Sequence, residues 1–281
     1  TNADVGVPGD SITALIPFSD DYLYFGCGSS VWMLEGDPGY GGAIQNVSYR
    51  TGIVGPRAFA FDDNGNLYFM GAAGIYRIER GAKNPINITG RRLILLLDSV
   101  NFSTTFCQLA WDASGGYLHI FLTPTDGTTA GTHCVYDPST PEGGGWWLDK
   151  YPADFGPWAV AEINGVADED RRIIIGGNDG YVRRPVDGTF TDDGTAIDSW
   201  VEIGPFQLDG GSVYSMVTEL QAMIGAGSES VTWYWFTGDS PEEVASQTFG
   251  SEVASGTWTN TGRIDGFQPP VGLRQTGGAH K

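Results

Sequence analysis

Histidine, cysteine and basic residues are scarce in this chain of 281 residues. The histidines are His119, His133 and His280, and the cysteines are Cys27, Cys107 and Cys134. No Cys-x-x-Cys spacing occurs, so neither a zinc site nor a histidine-based hydrolytic triad is expected. Because three cysteines cannot all pair within one chain, and because the strands proposed below separate them, we predict free thiols.

The chain has 15 Lys and Arg against 34 Asp and Glu, a net charge of −19. Proteins that bind nucleic acid through phosphates present clustered basic residues, so no specific nucleic-acid binding is expected. The longest apolar run, Leu93 to Leu97, is far shorter than the roughly 18 to 20 residues of a membrane-spanning helix. Residues 1–10 show neither the basic start nor the apolar stretch of a secretory leader. We therefore expect no membrane insertion.

Glycine and aromatic residues are abundant, with 42 Gly, 14 Phe, 12 Tyr and 9 Trp. Their distribution favours many short strands joined by tight turns, which is an all-β fold. The clearest unit is residues 58–80, where FAF, LYFM and IYRIER are separated by DDNGN and GAAG. Asn64-Gly65 supplies the positive φ that a tight hairpin needs.

Similar strand-turn-strand units occupy residues 14–34, 107–136 and 158–186. Their central strands begin roughly 45 to 55 residues apart, a period typical of β-propeller blades. We predict an incomplete β-propeller over residues 1–197, with hairpins also turning at Ser114-Gly115 and Asp179-Gly180. A large β-sandwich is the alternative, although sandwiches lack this longer period.

One short helix is predicted inside the propeller, at residues 91–100. Leu93, Leu96, Leu97 and Val100 have the i, i+3, i+4, i+7 spacing of a helix face. Thr89 could cap its start and Asn101 could end it. A buried strand over the leucine run is the alternative.

From residue 198 the pattern changes to longer strands, at 200–208, 213–224, 231–236 and 257–258. The segments GAGSES, GDSPEE and GSEVASG separate them as loops. This spacing predicts a second domain, a truncated β-sandwich over residues 198–281. We expect either that another chain completes it or that the sequence is a fragment of a longer polypeptide.

Acidic residues are the main candidates for catalysis or metal binding. They are Asp62, Asp63, Asp112, Asp168, Glu169, Asp170, Asp192, Asp193, Asp239, Glu242 and Glu243. Nearly all lie in turns, where an aspartate side chain bonds the backbone two residues on. The stretches 63–66 and 112–115 are similar to calcium loops but lack the downstream glutamate. We predict no catalytic, cofactor-binding or metal-binding residues.

Tryptophans and paired arginines are the other candidates. A sugar-stacking platform could use Trp111, Trp146, Trp147, Trp158, Trp200, Trp233 and Trp235. A β core is the favoured interpretation, because Trp233 and Trp235 would share one face of a strand. The pairs 91–92, 171–172 and 183–184 are expected to form local salt bridges, and the glycine-rich stretch 176–180 to join strands rather than bind phosphate.

The order of several segments resembles the β-propeller structural proteins of tailed-phage particles, including tail nozzle proteins. The resemblance rests on residues 16–38 and 52–78, the helix with its SVNFS tail, AWDASGGYLHIFL, residues 134–147, GGNDGYVRR and FTDDGTAIDSW. It covers roughly residues 12–208, and it departs from the family in lacking a complete set of blades and a complete sandwich.

This resemblance implies a noncatalytic virion component in the tail, assembled in the host cytoplasm. Its partners would be copies of itself in a ring and other tail or connector proteins, with no cofactor. An acidic channel lining would repel DNA phosphates. A secreted carbohydrate-binding or glycan-cleaving propeller is the alternative, and it would require two or three carboxylates converging near the axis.

Overall fold

The computed structural model describes residues 9–90, 93–141, 143–153, 155–167, 170–186, 191–192, 194–197, 200–204, 206–207, 217, 220–222, 230–258, 265–267 and 279–280. Over these residues the protein is mostly β-structure arranged in small antiparallel sheets, which confirms the all-β prediction. The chain divides into two compact units, Thr1–Gly188 and Thr189–Lys281.

Four antiparallel sheets make up the first unit, and in each the strands follow chain order. Sheet 1 contains β1 (Ile12–Ser19), β2 (Tyr22–Cys27), β3 (Val31–Glu35) and β4 (Ala43–Ser48). Sheet 2 contains β5 (Phe59–Phe61), β6 (Leu67–Gly71), β7 (Gly74–Ile78) and β8 (Ile86–Asn87). Sheet 3 contains β9 (Thr105–Asp112), β10 (Tyr117–Pro124), β11 (Thr132–Asp137) and β12 (Gly145–Asp149). Sheet 4 contains β13 (Ala159–Asn164), β14 (Arg171–Gly176) and β15 (Val182–Arg183).

The four sheets stack face to face in chain order. Phe18 of sheet 1 contacts Phe61 of sheet 2, with ring centroids 5.9 Å apart. On the opposite face of sheet 2, Tyr68 stacks on Trp111 of sheet 3. The other face of sheet 3 packs on sheet 4 through a cluster of Ala110, Phe121, Ile173 and Ile175. Successive side chains of a strand point to opposite faces of its sheet. Sheets 2 and 3 therefore present one set of side chains to the preceding sheet and the other set to the following sheet.

Each predicted three-strand unit is present, and three of them carry a fourth strand that the sequence prediction did not include. These additional strands are β4, β8 and β12. Gly65 and Gly180 have positive φ, as the hairpin predictions required. At the third hairpin the prediction was wrong by one residue, because Gly116 rather than Gly115 adopts the left-handed conformation. The N–H of Gly116 closes that turn on the carbonyl of Asp112.

The predicted helix exists but is shorter than residues 91–100. It is α1 (Ile94–Asp98), and residues 91–92 lie outside the described part of the chain. Leu93 and Leu97 are buried in the core, and Leu96 and Val100 pack against it, as predicted. Thr89 does not cap the helix, since its Oγ1 accepts the N–H of Ile75, and residue Leu93 stands at the N-cap.

Between β3 and β4, residues Pro38–Tyr40 form a 3-10 turn that begins at Asp37, whose side chain accepts the N–H of Gly39.

The predicted stop of α1, Asn101, lies beyond the C-cap residue Ser99, and its side chain accepts the N–H of Ser103. The helix therefore ends one turn of chain before the residue that the sequence suggested.

The second unit has shorter strands. They are β16 (Thr191–Asp192), β17 (Thr195–Ala196), β18 (Phe206–Gln207), β19 (Leu220–Ala222), β20 (Val231–Trp235), β21 (Thr237–Gly238), β22 (Ala254–Trp258), β23 (Asp265–Phe267) and β24 (Ala279–His280). Strand β20 pairs with β22, β19 with β23, and β24 lies between β18 and β21. Most of the predicted strand 213–224 lies outside the described residues.

A helix, α2 (Pro241–Ser246), occupies the GDSPEE segment that was predicted to be a loop. The hydroxyl of Ser240 accepts the N–H of Glu243, and the Glu243 carboxylate accepts the N–H of Asp239. This arrangement is similar to a capping box, although Glu243 binds the N–H of the residue before the N-cap, and Pro241 occupies the first helical turn, where proline is favoured. The sandwich predicted for this unit stays a prediction.

The cysteines are buried free thiols. Cys107 and Cys134 lie on β9 and β11, which flank β10, so the predicted separation by two strand spacings is confirmed. Burial raises the pKa of both thiols, that of Cys134 to about 12. Both groups are therefore protonated and unreactive near neutral pH.

Neither α-helix in the described part of the chain has the length and apolar character needed to span a membrane. A propeller requires its sheets to close around a common axis. The described residues form an ordered stack of four sheets but no demonstrated closed ring, so the propeller stays a prediction.

Candidate functional site

The first hairpins of sheets 2, 3 and 4 lie side by side at one end of the stack. The indole Nε1–H of Trp111, at the end of β9, donates to the Asp63 carboxylate of the β5–β6 turn at 3.0 Å. The backbone N–H of the same residue donates to Glu162 of β13 at 2.7 Å. Arg172 of β14 donates to the hydroxyl of Ser114, in the β9–β10 turn, at 2.9 Å. We call this region the first-hairpin end.

Strand β9 is joined to both neighbouring sheets along the edge that does not pair with β10. The N–H of Leu109 donates to the carbonyl of Arg57, just before sheet 2, at 3.0 Å. The next outward N–H along the strand is that of Trp111, which binds Glu162. The Glu162 carboxylate thus occupies the position of a strand carbonyl, so this edge N–H is satisfied.

The side chain of Gln108 adds a second link between sheets 3 and 4. Its amide NH₂ donates to the carbonyls of Pro157 and Trp158 at 3.0 and 3.1 Å. Its carbonyl accepts the N–H of Val160 at 3.2 Å. Gln108 is 4% exposed, so these bonds satisfy a buried amide and fix β9 beside β13.

An aromatic stack supports Trp111 from sheet 2. Tyr68 lies nearly parallel to the indole, with centroids 6.0 Å apart, and also contacts Tyr136. Burial is the main reason that the pKa of Tyr68 rises to about 12, and the negative charge of Asp62 adds to it. The phenol is therefore protonated and places its hydroxyl 3.4 Å from the Asp62 carboxylate.

Glu162 and Asp63 are the two carboxylates that approach one another at this end. Residue Glu162 is exposed overall, but its carboxylate turns toward the buried indole residue. Loss of solvent raises the pKa of Glu162, the bond from Trp111 opposes this effect, and the nearby charge of Asp63 raises the pKa further. Both residues are exposed overall, and they are linked through Trp111, which donates to each of them.

Acid–base cleavage of a glycosidic bond uses two carboxyl groups, and a raised pKa in one of them suits the general acid. Glu162 was missed by the sequence analysis, which considered mainly acids in turns. The sequence did contain a signal for Glu162. In the strand WAVAEIN, Glu162 lies two residues after Val160 and therefore on the same face, and Val160 packs on the core. An acid on the covered face of a strand departs from the alternation expected there.

The other predicted acids mostly serve turns, as the sequence analysis proposed. Asp62 accepts the N–H groups of Asn64 and Asn66 at 2.9 and 2.8 Å. Asp112 accepts the N–H of Ser114 at 3.0 Å. These side chains replace backbone acceptors in the hairpins.

Acids elsewhere in the candidate set are dispersed. Asp170 lies at the exposed start of β14, and Asp239 and Glu242 are exposed beside α2. Asp168, Glu169 and Asp193 lie outside the described residues, and only the backbone of Asp192 is described. Asp170 nevertheless belongs to the first hairpin of sheet 4, so among the described acids of that set the first-hairpin end contains Asp62, Asp63, Asp112 and Asp170.

The candidate tryptophans do not form one platform. Trp111 and Trp233 are buried, whereas Trp147 and Trp200 are 44% and 54% exposed and belong to different units. Trp233 and Trp235 share a face of β20, with Trp233 packed against Trp258. The interpretation of a β core is supported for Trp111 and Trp233.

The arginine pairs have different local roles. Arg183 forms the predicted local salt bridge, to Asp179 at 2.5 Å, and lies over the ring of Phe155. Arg171 donates to the carbonyl of Gly165. The stretch 176–180 joins β14 to β15, as predicted.

Two histidines are enclosed between sheets 3 and 4. His133 is 1% exposed, its Nδ1 accepts the N–H of Leu122 at 3.2 Å, and its ring contacts Phe121 and Tyr151. Burial lowers the pKa of His133 to about 4 and also lowers that of His119. Both imidazoles are thus neutral near pH 7.

Throughout the described part of the chain, no three His, Cys, Asp or Glu side chains come together as metal ligands would. The sequence matches no model of a known protein family. A search of curated proteins finds no significant relative.

Proposed function

We propose that this protein is a noncatalytic structural subunit of a tailed-phage particle, a tail or nozzle component that works by assembling into a ring. Its first unit is proposed to be part of a β-propeller. The ordered segments that resemble virion propellers motivate this function, and the stacking of the sheets carries the proposal for the fold.

The arrangement of the first strands supports a propeller. Strands β5, β9 and β13 each begin a sheet, and β9 contacts both of the others. Their first hairpins also meet at one end of the stack. Successive propeller blades have this relationship, because their first strands surround a common axis and their sheets pack face to face.

The use of the carboxylates supports a structural role. Asp62 and Asp112 close hairpins, while Asp63 and Glu162 both accept hydrogen bonds from the same tryptophan. Carboxylates that already accept hydrogen bonds from donors within the protein can hold the sheets together, and this role requires no substrate. Rigid sheets with satisfied edges suit a protein that acts through repeated copies in closed symmetry.

Assembly of the purified chain tests this proposal. Light scattering after size exclusion should give a mass that is a whole multiple of the 30.1 kDa chain, and negative-stain images should contain closed rings. A species that stays monomeric at all concentrations, without rings, would contradict it. Detection of the chain in purified virions by mass spectrometry would establish the location.

A carbohydrate-cleaving function is the second candidate, and the pairing of Glu162 with Asp63 favours it. The raised pKa of Glu162 suits a general acid, and Asp63 is the second carboxylate bound by Trp111. The test is reducing-sugar release from purified bacterial capsular polysaccharide. Turnover by the parent that is lost in Glu162→Gln and kept in the exposed control Asp98→Asn would replace the structural proposal.

A further inference from the structure

The contact between sheets 3 and 4, which we call the sheet 3–4 joint, differs in chemistry from the rest of the stack. Sheets 1, 2 and 3 share one continuous apolar core, to which Tyr24, Phe69 and Leu118 respectively belong. The apolar cluster at the sheet 3–4 joint is much smaller. Its buried members are Ala110, Phe121, Ile173 and Ile175. Polar side chains therefore contribute a larger share of the contacts that hold sheet 4 in place.

Hydrogen bonds cross the sheet 3–4 joint at several points. Besides the bonds of Gln108, the hydroxyl of Thr123 in β10 donates to the carbonyl of Pro157 at 3.0 Å. The N–H of Trp111 donates to Glu162 of β13, and the N–H of Val160 donates to Gln108. These bonds depend on a fixed spacing between the sheets, so a small separation of the sheets breaks them together.

Two histidines lie on the face of sheet 3 that this joint covers. His119 of β10 stacks on Phe121, with ring centroids 5.9 Å apart, and His133 of β11 contacts the same phenylalanine at 5.6 Å. The third histidine of the chain, His280, belongs to the second unit. Within the first unit, histidine is thus confined to the sheet 3–4 joint.

The surroundings of His133 fit only the neutral imidazole. Its Nδ1 accepts the N–H of Leu122 at 3.2 Å, so the ring proton is on Nε2. Nε2 has no acceptor among the described residues, and a Cβ on Gly131 would lie only 2.7 Å from it. A second proton would have to occupy Nδ1. There it would face the N–H of Leu122, and the hydrogen bond between them would be lost.

His119 also lacks partners that would hold a proton in place. Neither of its ring nitrogens has a hydrogen-bond partner in the described part of the chain. Burial lowers the pKa of His119, and the charges of Asp112 in β9 and Asp149 in β12 oppose this only in part. Both carboxylates are already engaged, since Asp112 accepts the N–H of Ser114 and Asp149 accepts the hydroxyl of Tyr151.

Sheet 4 contributes two charged groups to this joint, Glu162 of β13 and Arg172 of β14. Arg172 donates to the hydroxyl of Ser114, and its positive charge does not favour protonated histidines nearby. Loss of solvent raises the pKa of Glu162. The closed joint therefore promotes proton uptake by Glu162, which acts against opening in acid. The two histidines are the groups whose protonation favours the open joint.

We infer that the sheet 3–4 joint is a switch operated by acid, in which proton uptake by His119 and His133 releases sheet 4 while sheets 1 to 3 stay folded. Burial lowers the pKa of both imidazoles from the ordinary value of 6.5, and exposure to water restores it. The open joint therefore binds more protons below about pH 6.5, and opening becomes more favourable as the pH falls. The switch requires neither the proposed ring nor a partner.

Native-state hydrogen exchange of the full chain, measured by NMR from about pH 6.5 to 5, tests this switch. The probes are the amides of Trp111 and Val160, which donate across the joint. After correction for the intrinsic exchange rate, their opening constant should rise about tenfold or more per pH unit. The amide of Met70 in sheet 2, which donates to the carbonyl of Ala58, is the internal control and should keep its opening constant.

Two results of this measurement would overturn the switch. Opening constants at Trp111 and Val160 that do not change with pH would show that proton uptake is not coupled to the joint. An equal rise at Met70 would show that acid unfolds the whole stack rather than releasing sheet 4.

Histidine variants assign the effect. His133→Asn keeps an acceptor for the N–H of Leu122 without titrating, and His119→Phe keeps an aromatic ring beside Phe121. The double variant should lose the pH dependence of the joint amides, and each single variant should reduce it. His280→Asn removes a histidine of the second unit and should behave like the parent. An unchanged pH dependence in both single variants, or in the double variant, would exclude the histidines as the groups that operate the joint.

Discussion

Sheets 1 and 2 have the same four-strand topology but bury their residues differently. Every residue of β6 in sheet 2 is buried, whereas burial in β1 of sheet 1 alternates between covered and exposed positions. The difference follows from position, because sheet 2 packs on sheet 1 with one face and on sheet 3 with the other, whereas in the described part of the first unit only one face of sheet 1 joins the core. The face of sheet 1 opposite the core still carries the apolar side chains of Leu15, Leu23 and Phe25, so the apolar pattern alone does not show which face of a strand is covered.

A matched pair of truncations should give the largest difference between the two sheets. Phe69 of sheet 2 is fully buried, and Phe69→Ala should lower the free energy of unfolding by about 3–5 kcal/mol, since it removes transfer energy and leaves a cavity. Phe25, on the face of sheet 1 opposite the core, is half-buried, so Phe25→Ala should cost about 1 kcal/mol or less. Urea denaturation of both variants measures this. Equal losses would mean that sheet 1 is covered as fully as sheet 2.

A charge placed in the covered core should have a slightly smaller effect. Leu97 of α1 is 5% exposed, so Leu97→Asp should cost about 3 kcal/mol or more through burial of an unpaired charge. Ser99→Asp, at the exposed C-cap, is the control and should stay within about 0.5 kcal/mol of the parent. Thermal melts compare the two. A parent-like melt for Leu97→Asp would contradict the docking of α1 on the core.

A buried histidine of sheet 3, His133, should make the stability of the protein depend on pH in the acid range. Burial holds the pKa of His133 at about 4, below its ordinary value of 6.5. The unfolded chain therefore binds more protons between these values, and stability should fall by roughly 3 kcal/mol as the pH decreases from 6.5 to 4. His119, whose pKa burial also lowers, acts in the same direction.

His133→Asn is the variant that isolates this effect, because its Oδ1 can accept the N–H of Leu122 without titrating. Urea midpoints measured between pH 4 and 7.5 should depend less on pH in the variant than in the parent. An unchanged pH profile would show that His133 is not the group responsible.

The smallest effect concerns the link between covered sheets at the first-hairpin end. Glu162→Ala should cost about 1 kcal/mol, because the N–H of Trp111 loses its acceptor. Glu162→Gln keeps an acceptor and removes the charge near Asp63, so it should remain within about 0.5 kcal/mol of the parent. Urea denaturation at pH 7 checks both. If the two variants were equally destabilised, charge rather than the hydrogen bond would be the important property.

Local patterns predicted much of the first unit because its structure is local. Alternation in FAF and LYFM and the turn at Asn64-Gly65 require only neighbouring residues. The short edge strand β8, of two residues, has too few positions for a periodic signal. Its existence depends on pairing with β7.

The candidate site was less predictable because its contacts are long-range. Glu162 and Trp111 are 51 positions apart in the chain, and no motif joins them. By contrast, α2 was predictable, since Ser240, Pro241 and Glu243 form a recognisable start of a helix. That signal was missed because the segment was interpreted by its turn-forming composition.

The consecutive order of strands within each sheet has a consequence for folding. Each sheet in the first unit is complete within a short stretch of chain, from Ile12 to Ser48 in sheet 1 and from Thr105 to Asp149 in sheet 3. Pairings between such near neighbours close small loops, which lowers the entropic barrier and favours fast formation. A growing polypeptide can therefore complete one sheet before the next has been synthesised, and the order of synthesis becomes the order of the stack.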